Sequence, residues 1–205
     1  GIKAKHTTIA IPLYPDWSSE QGLTTLNDPN PTIASCGTSS YNVLAYQNSS
    51  NSNVYYRYQN NNGSWNSTPI NLTGMVPGQS QSQNPTICGM PSDGSVHVAC
   101  TRYTFVNGYP ANPMTFYTKN SIANGQWPSQ YWMLGTDQII PTLTALASNK
   151  IDILYYSSNS IYKTRFNGSS WNAPTLVAFN SGYPSTSIGY STAKYVYSGL
   201  LGGSP

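Results

Sequence analysis

The sequence has little charge of either sign. Lys and Arg together number nine, Asp and Glu six, and charged residues are only 7% of the 205 residues. Proteins that bind nucleic acid neutralise several phosphates with clustered Lys and Arg. The densest basic spot in this chain is Lys3 with Lys5. The composition therefore predicts no nucleic-acid partner.

Long apolar runs and helical periodicity are also missing. No stretch of about 18 apolar residues occurs, which excludes a membrane-spanning helix within this sequence. No segment repeats its apolar residues every 3.6 positions over the length that a helix needs. The three cysteines and two histidines lack the spacing of a zinc site. We expect no metal and no cofactor.

Paired carboxylates are equally hard to find. Glu20 is the only glutamate, and the aspartates stand singly along the chain. A glycosidase needs two carboxyl groups that flank the bond it breaks. The sequence therefore favours a protein that is not an enzyme, and it supplies no candidate catalytic residue.

What the sequence has in quantity is aromatic and neutral polar side chains. It contains 17 Tyr and 5 Trp, so a disordered chain is excluded. Sequons for N-glycosylation recur and favour an extracellular location, on a cell surface, an appendage or a virion. They lie at Asn48, Asn62, Asn66, Asn71 and Asn167.

The chain is built from repeats. A proline opens a stretch of alternating apolar residues four times, at Pro31, Pro85, Pro141 and Pro184. Each opener predicts the first strand of a unit, and alternating runs after it predict a second and a third strand. The third strand then runs into a loop that ends in tryptophan, as in Asn62-Gly-Ser-Trp65 and Asn167-Gly-Ser-Ser-Trp171. The predicted units span 31–84, 85–140, 141–183, and 184–205 together with 1–30.

Four-stranded units of about 50 residues with an aromatic landmark are typical of propeller blades. The segment Asn53–Thr73, with its Tyr-Tyr-Arg strand and its Gly- and Trp-containing turn, resembles the blades of sialidase-like propellers of the BNR or Asp-box type. This chain has Asn where the Asp box has Asp. The resemblance implies an all-β propeller and is weak for any activity.

Trp17 follows the same spacing to the next opener as the other landmark tryptophans, so we count four units. The prediction is a four-bladed propeller, closed by pairing N-terminal and C-terminal strands in one blade, which removes exposed sheet edges. The alternative is a part of a longer, six-bladed propeller.

The landmark tryptophans recur at one place in every unit, so packing between neighbouring blades explains them better than sugar binding. The chain also has three arginines, the number with which sialidases hold a substrate carboxylate. Arg57 and Arg165 occupy equivalent places in third strands, with Lys119 as the counterpart in the second unit, so we interpret them as repeat features. A sialidase-type glycosidase remains the minority alternative.

One disulfide is predicted. If Asp93-Gly94-Ser95 forms the turn of a hairpin, Cys88 and Cys100 face each other across it and meet the bridging distance. Cys36 is then a buried free thiol.

Loops on one face indicate where a ligand would bind. The segment Phe105–Pro113 reads as a large insertion, on the same face as the Gln79–Gln83 connection and the Gly135–Gln138 loop. Insertions on one face of a repeat fold often build a binding surface. The candidate ligand-binding residues are Tyr109, Asp137, Gln138 and Tyr183.

Two further functional hypotheses follow. The first is an adhesive, lectin-like module whose partner is a neutral glycan or a surface glycoprotein, because amide and aromatic side chains bind sugars without desolvating charge. The second is a structural subunit that assembles with itself into a filament or virion coat, with the apolar Ile9–Leu13 stretch as a donated strand.

Overall fold

The structure is a computed structural model. It describes residues 3–4, 7–8, 16–17, 21–23, 28–36, 41–60, 62–74, 76, 78, 80–90, 93–121, 127–147, 150–179 and 184. Strands make up all the regular structure of this part of the chain, so the all-β prediction is confirmed. No helix in it is long and apolar enough to cross a membrane.

Four short strands near the N-terminus pair antiparallel in two couples, β1 with β4 and β2 with β3. Their bounds are β1 Lys3–Ala4, β2 Thr7–Thr8, β3 Asp16–Trp17 and β4 Gln21–Gly22. Lys3 pairs with Gly22 in the first couple, and Thr8 pairs with Asp16 in the second. In three places a landmark tryptophan pairs with the strand before its loop: Thr7–Trp17, Gln59–Trp65 and Phe166–Trp171.

The other twelve strands form three antiparallel sheets of four, each a meander in chain order. The first sheet contains β5 Thr32–Cys36, β6 Tyr41–Gln47, β7 Val54–Tyr58 and β8 Ile70–Asn71. The second contains β9 Ser80–Gly89, β10 Val96–Val106, β11 Tyr109–Asn120 and β12 Tyr131–Leu134. The third contains β13 Ile139–Ala147, β14 Lys150–Ser157, β15 Ser160–Phe166 and β16 Thr175–Phe179. Each sheet starts at or near one proline opener, as the repeats predict.

The strands of the second sheet are longer than the sequence suggests. Gln81, Ser82 and Gln83, expected in a connection, belong to β9 and pair with β10. The expected insertion is a strand hairpin in which Val106 pairs with Tyr109. Its turn, Asn107-Gly108, has φ of 53° and 81°, the left-handed pair that a two-residue hairpin turn needs. The sequence does not predict these parts of the strands, because they contain polar residues and proline.

The predicted Cys88–Cys100 disulfide is wrong, because the turn is longer than expected. Met90 and Ser95 close it, and Cys88 pairs with His97. An odd shift in register moves side chains to the other face of a sheet. Cys88 therefore contacts the third sheet while Cys100 contacts the first, and both are free thiols. Cys36 is buried, as predicted, and it is not part of a disulfide.

Two apolar seams join the three sheets. The first seam lies between the first and second sheets and includes Val43, Tyr56, Val98 and Phe116. The second seam lies between the second and third sheets. Trp127 packs into the first seam and Trp171 into the second, so these landmarks serve packing between neighbouring units, as predicted.

Two more tryptophans contact cores. Trp65 packs with Leu23 and Leu44 on the side of the first sheet that faces away from the first seam. Trp132, outside the repeat pattern, is an additional core residue, with its ring 5.4 Å from that of Tyr117. The side chain of Trp17 lies outside the described residues.

Candidate functional site

The strands define two faces. The upper face carries the proline openers and the β10–β11 turn. The lower face carries the β9–β10 turn and the tryptophan loops. Each face has a cavity of about 530 Å³.

The cavity on the upper face, which we call the axial cavity, is where the repeats meet. All four opener prolines line it, together with Thr142 and the residues that precede three of the prolines. Residues separated by more than 40 positions thus reach one place through the same element of each unit. The lining residues are Asn30, Pro31, Asn84, Pro85, Ile140, Pro141, Thr142 and Pro184, none of them charged.

The residues before Pro31, Pro85 and Pro141 have a left-handed backbone. The φ angles are 54° at Asn30, 52° at Asn84 and 51° at Ile140. Asparagine tolerates this conformation, whereas a β-branched residue is strained in it. A hydrogen bond of 2.7 Å from the Ile140 amide to Thr101 Oγ1 holds the strained residue in place. Strain of this kind clusters at functional sites. The repeated Asn-Pro pair is the sequence signal that could have indicated this left-handed backbone.

The β10–β11 hairpin extends on the upper face past the level of the Pro85 opener, and its tip is apolar. Tyr109 is 75% exposed, Val106 47% and Phe105 38%. Large apolar side chains that cluster at an exposed tip mark an interaction site. The candidate Tyr109 is thus well placed to contact a partner.

The other candidates are not brought together with Tyr109. Asp137 is exposed and has a φ of 59°. Gln138 is 7% exposed and its Oε1 is buried without a partner, so the prediction that it faces a ligand on the surface is wrong. Its side chain folds back against Gly135. Tyr183 lies outside the described residues.

The three arginines do not form a carboxylate-binding group. Arg57 donates to the carbonyls of Leu23 and Asn66. Arg102, 2% exposed, donates to the carbonyls of Thr73 and Val76 at 3.1 and 3.3 Å. Arg165 pairs with Asp152 at 2.5 and 2.8 Å. Arg57 and Arg165 thus stabilise their own units, as expected for features of the repeat, and Arg102 joins the second sheet to the segment that follows the first.

The carboxylates of the described aspartates either have a hydrogen-bond partner or lie away from the axial cavity. Asp28 Oδ1 accepts the Ser49 amide at 2.8 Å, and Asp152 binds Arg165. Asp93 lies on the lower face and Asp137 on a loop. None of these four groups lines the axial cavity. Among the described residues, no group of three or more His, Cys, Asp or Glu could hold a metal ion.

A chain of hydrogen bonds runs inward from the lower cavity. The Ser95 hydroxyl donates to Asp93 Oδ1 at 2.7 Å, and Ser95 Oγ lies 3.1 Å from His97 Nε2. His97 Nδ1 lies 2.7 Å from the Tyr117 hydroxyl. Burial, with a smaller contribution from Lys119, lowers the pKa of His97 to about 4.

The proton positions in this chain follow from valence. A carboxylate only accepts, so the single Ser95 proton points to Asp93. Ser95 then accepts from His97 Nε2–H, which leaves Nδ1 to accept from Tyr117. A serine activated for nucleophilic attack needs a bare imidazole nitrogen instead. Ser95 and His97 are therefore a structural pair.

The sequons differ in accessibility. Asn62 and Asn167 are exposed on lower-face loops. Asn66 is half-buried, with its Nδ2 donating to the Thr68 carbonyl at 2.5 Å. Asn48 lies in the β6–β7 turn on the upper face, and Asn71 accepts the Gly74 amide through its side chain. We expect glycans first at Asn62 and Asn167.

Comparisons with solved structures agree with a propeller-type fold. The GH43 protein BlXynB from Bacillus licheniformis has a TM-score of 0.51 at 14% identity, over 77% of this chain and 33% of that one. Its K247S mutant scores 0.50 at the same identity. The chain spans about a third of the length of these proteins. The similarity supports a β-propeller type of fold, with three four-stranded sheets described in this chain.

Other similar structures also come from carbohydrate-active proteins. The Hadza microbial sialidase Hz136 has a TM-score of 0.47 at 10% identity, over 76% of this chain and 37% of that one. An exo-1,5-alpha-L-arabinanase from a bovine ruminal metagenomic library scores 0.45 at 10% identity, over 85% and 67%. No protein-family model matches the sequence, and no curated protein does.

Proposed function

We propose that this protein is a non-enzymatic extracellular recognition module that binds a neutral glycan, or a surface glycoprotein, through its upper face. The observation that carries the proposal is the axial cavity, whose lining has amide and apolar side chains and no charge, on the same face as a hairpin with an exposed aromatic tip. Neutral sugars are bound by such groups without the desolvation of charges.

The proposal includes a four-bladed ring with units 31–84, 85–140, 141–183, and 184–205 joined to 1–30. Three observations support it. Pro184 lines the same cavity as the other openers. Asp152 and Leu154 are fully buried, although their side of the third sheet faces away from the second seam. Trp17 pairs with Thr7, as Trp65 pairs with Gln59 and Trp171 with Phe166.

A glycan array tests the function. We expect saturable binding of neutral glycans that is lost in Tyr109→Ala. Phe179→Ala is the matched control, because Phe179 is an aromatic residue of similar exposure, 72%, on the outer strand β16. Equal loss in both variants, or no signal on any glycan, would contradict the proposal.

An assay for hydrolysis separates it from the glycosidase alternative. The neutral lining of the axial cavity predicts no turnover of fluorogenic glycosides. Turnover that disappears in Glu20→Gln would establish the enzyme instead.

A structural subunit is the second candidate, favoured by the outer edge of the third sheet. Strand β16 carries no charged residue and exposes Leu176 and Phe179. Exposed apolar edges pair with other strands. If this reading holds, the chain polymerises at low micromolar concentration and Phe179→Lys prevents it, whereas the recognition module stays monomeric in both forms.

A further inference from the structure

The lower face has a cleft that the proposed function does not use. It lies between the β9–β10 turn and the segment that follows the β11 strand, and its volume of about 530 Å³ equals that of the axial cavity. We call it the Asp93–Lys119 cleft. Asn120, Ser121, Pro128 and Gln130 complete its lining with Ser95.

The cleft is a preformed polar site. Two of its polar side chains, Ser95 and Asn120, are 5% and 4% exposed, so their positions are fixed by packing. Asp93 Oδ1 is saturated by the amide and the hydroxyl of Ser95, at 2.9 and 2.7 Å. The exposed carboxylate therefore offers its second oxygen to a ligand. A site with fixed polar groups binds with less loss of side-chain entropy than a mobile surface.

The charges in the cleft select the class of ligand. One carboxylate, Asp93, and one ammonium group, Lys119, line it, so its formal charges cancel. The Lys119 Nζ is 4.9 Å from the centre of the Phe166 ring, which holds the side chain against the second seam. A carboxylate accepts hydroxyl protons, amide and ammonium groups donate to hydroxyl oxygens, and the Pro128 ring adds an apolar surface. Polyhydroxylated neutral molecules match this set.

The sequence keeps the lower face of this unit free of a glycan. The first and third units have the sequons Asn62-Gly-Ser and Asn167-Gly-Ser in their tryptophan loops. The second unit has Asn124-Gly-Gln at the same place, which is not an acceptor sequence. Ser121 and Pro128, which line the cleft, flank in sequence the one of these three loops that has no acceptor sequence.

We propose that the Asp93–Lys119 cleft is a second binding site, that it takes a neutral monosaccharide unit, and that its occupancy reaches His97 through Ser95. A ligand hydroxyl on Asp93 weakens the acceptor strength of the carboxylate toward Ser95. The strength of the hydrogen bond from His97 Nε2–H to Ser95 Oγ then changes as well. Two sites on opposite faces would let one copy of the chain bridge two glycans.

Proton and nitrogen NMR of His97 tests the site directly. The chain has two histidines, so His6→Gln leaves His97 as the single imidazole. The probes are the methyl glycosides of glucose, galactose, mannose and xylose, each titrated to about 100 mM because single-sugar sites bind in the millimolar range. We expect a saturable shift of the His97 Nε2–H signal with at least one of them.

The matched variants are Asp93→Asn and Asp137→Asn. Asparagine keeps the oxygen that Ser95 needs and replaces the free oxygen by an amide, so Asp93→Asn is expected to unfold at the same temperature as the wild type and to lose the sugar response. Asp137→Asn, on the upper face, keeps it. No shift with any sugar, a persistent shift in Asp93→Asn, or an equal shift with sodium acetate would overturn the proposal.

The glycan array tests the upper face independently of the cleft. Tyr109→Ala is expected to abolish binding on the glycan array and to leave the His97 shift unchanged. A negative array with an intact His97 response would reject the proposed function and leave the lower site standing.

Discussion

The two seams solve the same packing problem with different chemistry. In the first seam the Trp127 ring meets Tyr56 edge-on, with centroids 4.9 Å apart and planes at 72°. In the second seam Trp171 meets Tyr117 at 4.8 Å and 87°. The repeat thus places the same edge-on aromatic contact at both junctions.

The polar groups around the two contacts differ. The second seam contains the buried His97, bonded to the Tyr117 hydroxyl, and the Lys119 ammonium over Phe166. The first seam contains the thiols of Cys36 and Cys100, whose pKa values burial raises to about 11 and 12. The first seam is therefore insensitive to mild acid, and the second is not. Equal shape does not imply equal response to pH.

The largest effect should come from removing the landmark rings. Trp127→Ala and Trp171→Ala are each expected to lower the free energy of unfolding by about 3 kcal/mol, because a large buried contact is replaced by a cavity. Urea unfolding measures both. Since the geometries match, the two losses should agree within about 1 kcal/mol. A difference of several kcal/mol would show that the seams are not equivalent.

Replacing the rings by phenylalanine sharpens this test. Both indole nitrogens, Trp127 Nε1 and Trp171 Nε1, are buried without a hydrogen-bond partner. Phenylalanine removes that unsatisfied donor along with part of the ring. Trp→Phe should therefore cost much less than Trp→Ala at both positions.

The next effect is the acid response of the second seam. The pKa of His97 is lowered from 6.5 to about 4 in the folded protein. The unfolded chain then binds more protons than the folded chain between these values, so stability falls as pH drops from about 6.5 to 4 and levels off below. The loss is as much as about 3 kcal/mol, since a pKa unit corresponds to about 1.4 kcal/mol.

The measurement is the difference in unfolding free energy between wild type and His97→Gln at pH 7 and pH 4. Carboxylates common to both proteins cancel in that difference. The gap is expected to shrink in acid, because only the wild type loses the contribution of a neutral histidine. A gap that stays constant would place the pKa of His97 near its ordinary value.

A smaller difference in stability between the two seams is expected at β9 and β13, the first strands of the second and third sheets. Gly89 and Ala145 each lie four residues after a proline opener. A methyl group on Gly89 would overlap Cys36 and the Ser35 carbonyl, whereas Ala145 already carries one, packed in the second seam. Gly89→Ala should cost about 2 kcal/mol through overpacking. Gly22→Ala, where the added carbon meets nothing within 4 Å, is the control.

The sequence predicted the parts of the fold that repeat. Openers, third strands and landmark tryptophans follow a periodic pattern, and the units that begin at Pro31, Pro85 and Pro141 have strands where that pattern placed them. The Cys88–Cys100 pairing failed because register depends on the length of one turn, which periodicity does not determine. The sequence does not predict the hairpin around Tyr109, because proline and asparagine are poor strand formers.

The candidate sites were less predictable still. The axial cavity needs residues from Asn30 to Pro184 to meet, and only the three-dimensional arrangement of the units shows that they do. The burial of Gln138 depends on the left-handed turn at Gly135 and Asp137. The series of hydrogen bonds from Asp93 to Tyr117 involves two strands, so no local sequence pattern indicates it.

The smallest effect tests the ammonium group of the second seam. Lys119→Met keeps most of the volume and removes the charge above Phe166, and a cation over an aromatic face contributes about 0.5–1 kcal/mol. Lys150→Met, at an exposed position on β14, is the control and should change little. Because protonated His97 and Lys119 repel each other, the variant is also expected to raise the pKa of His97 slightly. If NMR titration shows that this pKa stays the same or falls, the two groups do not share an electrostatic environment, and the acid response belongs to burial alone.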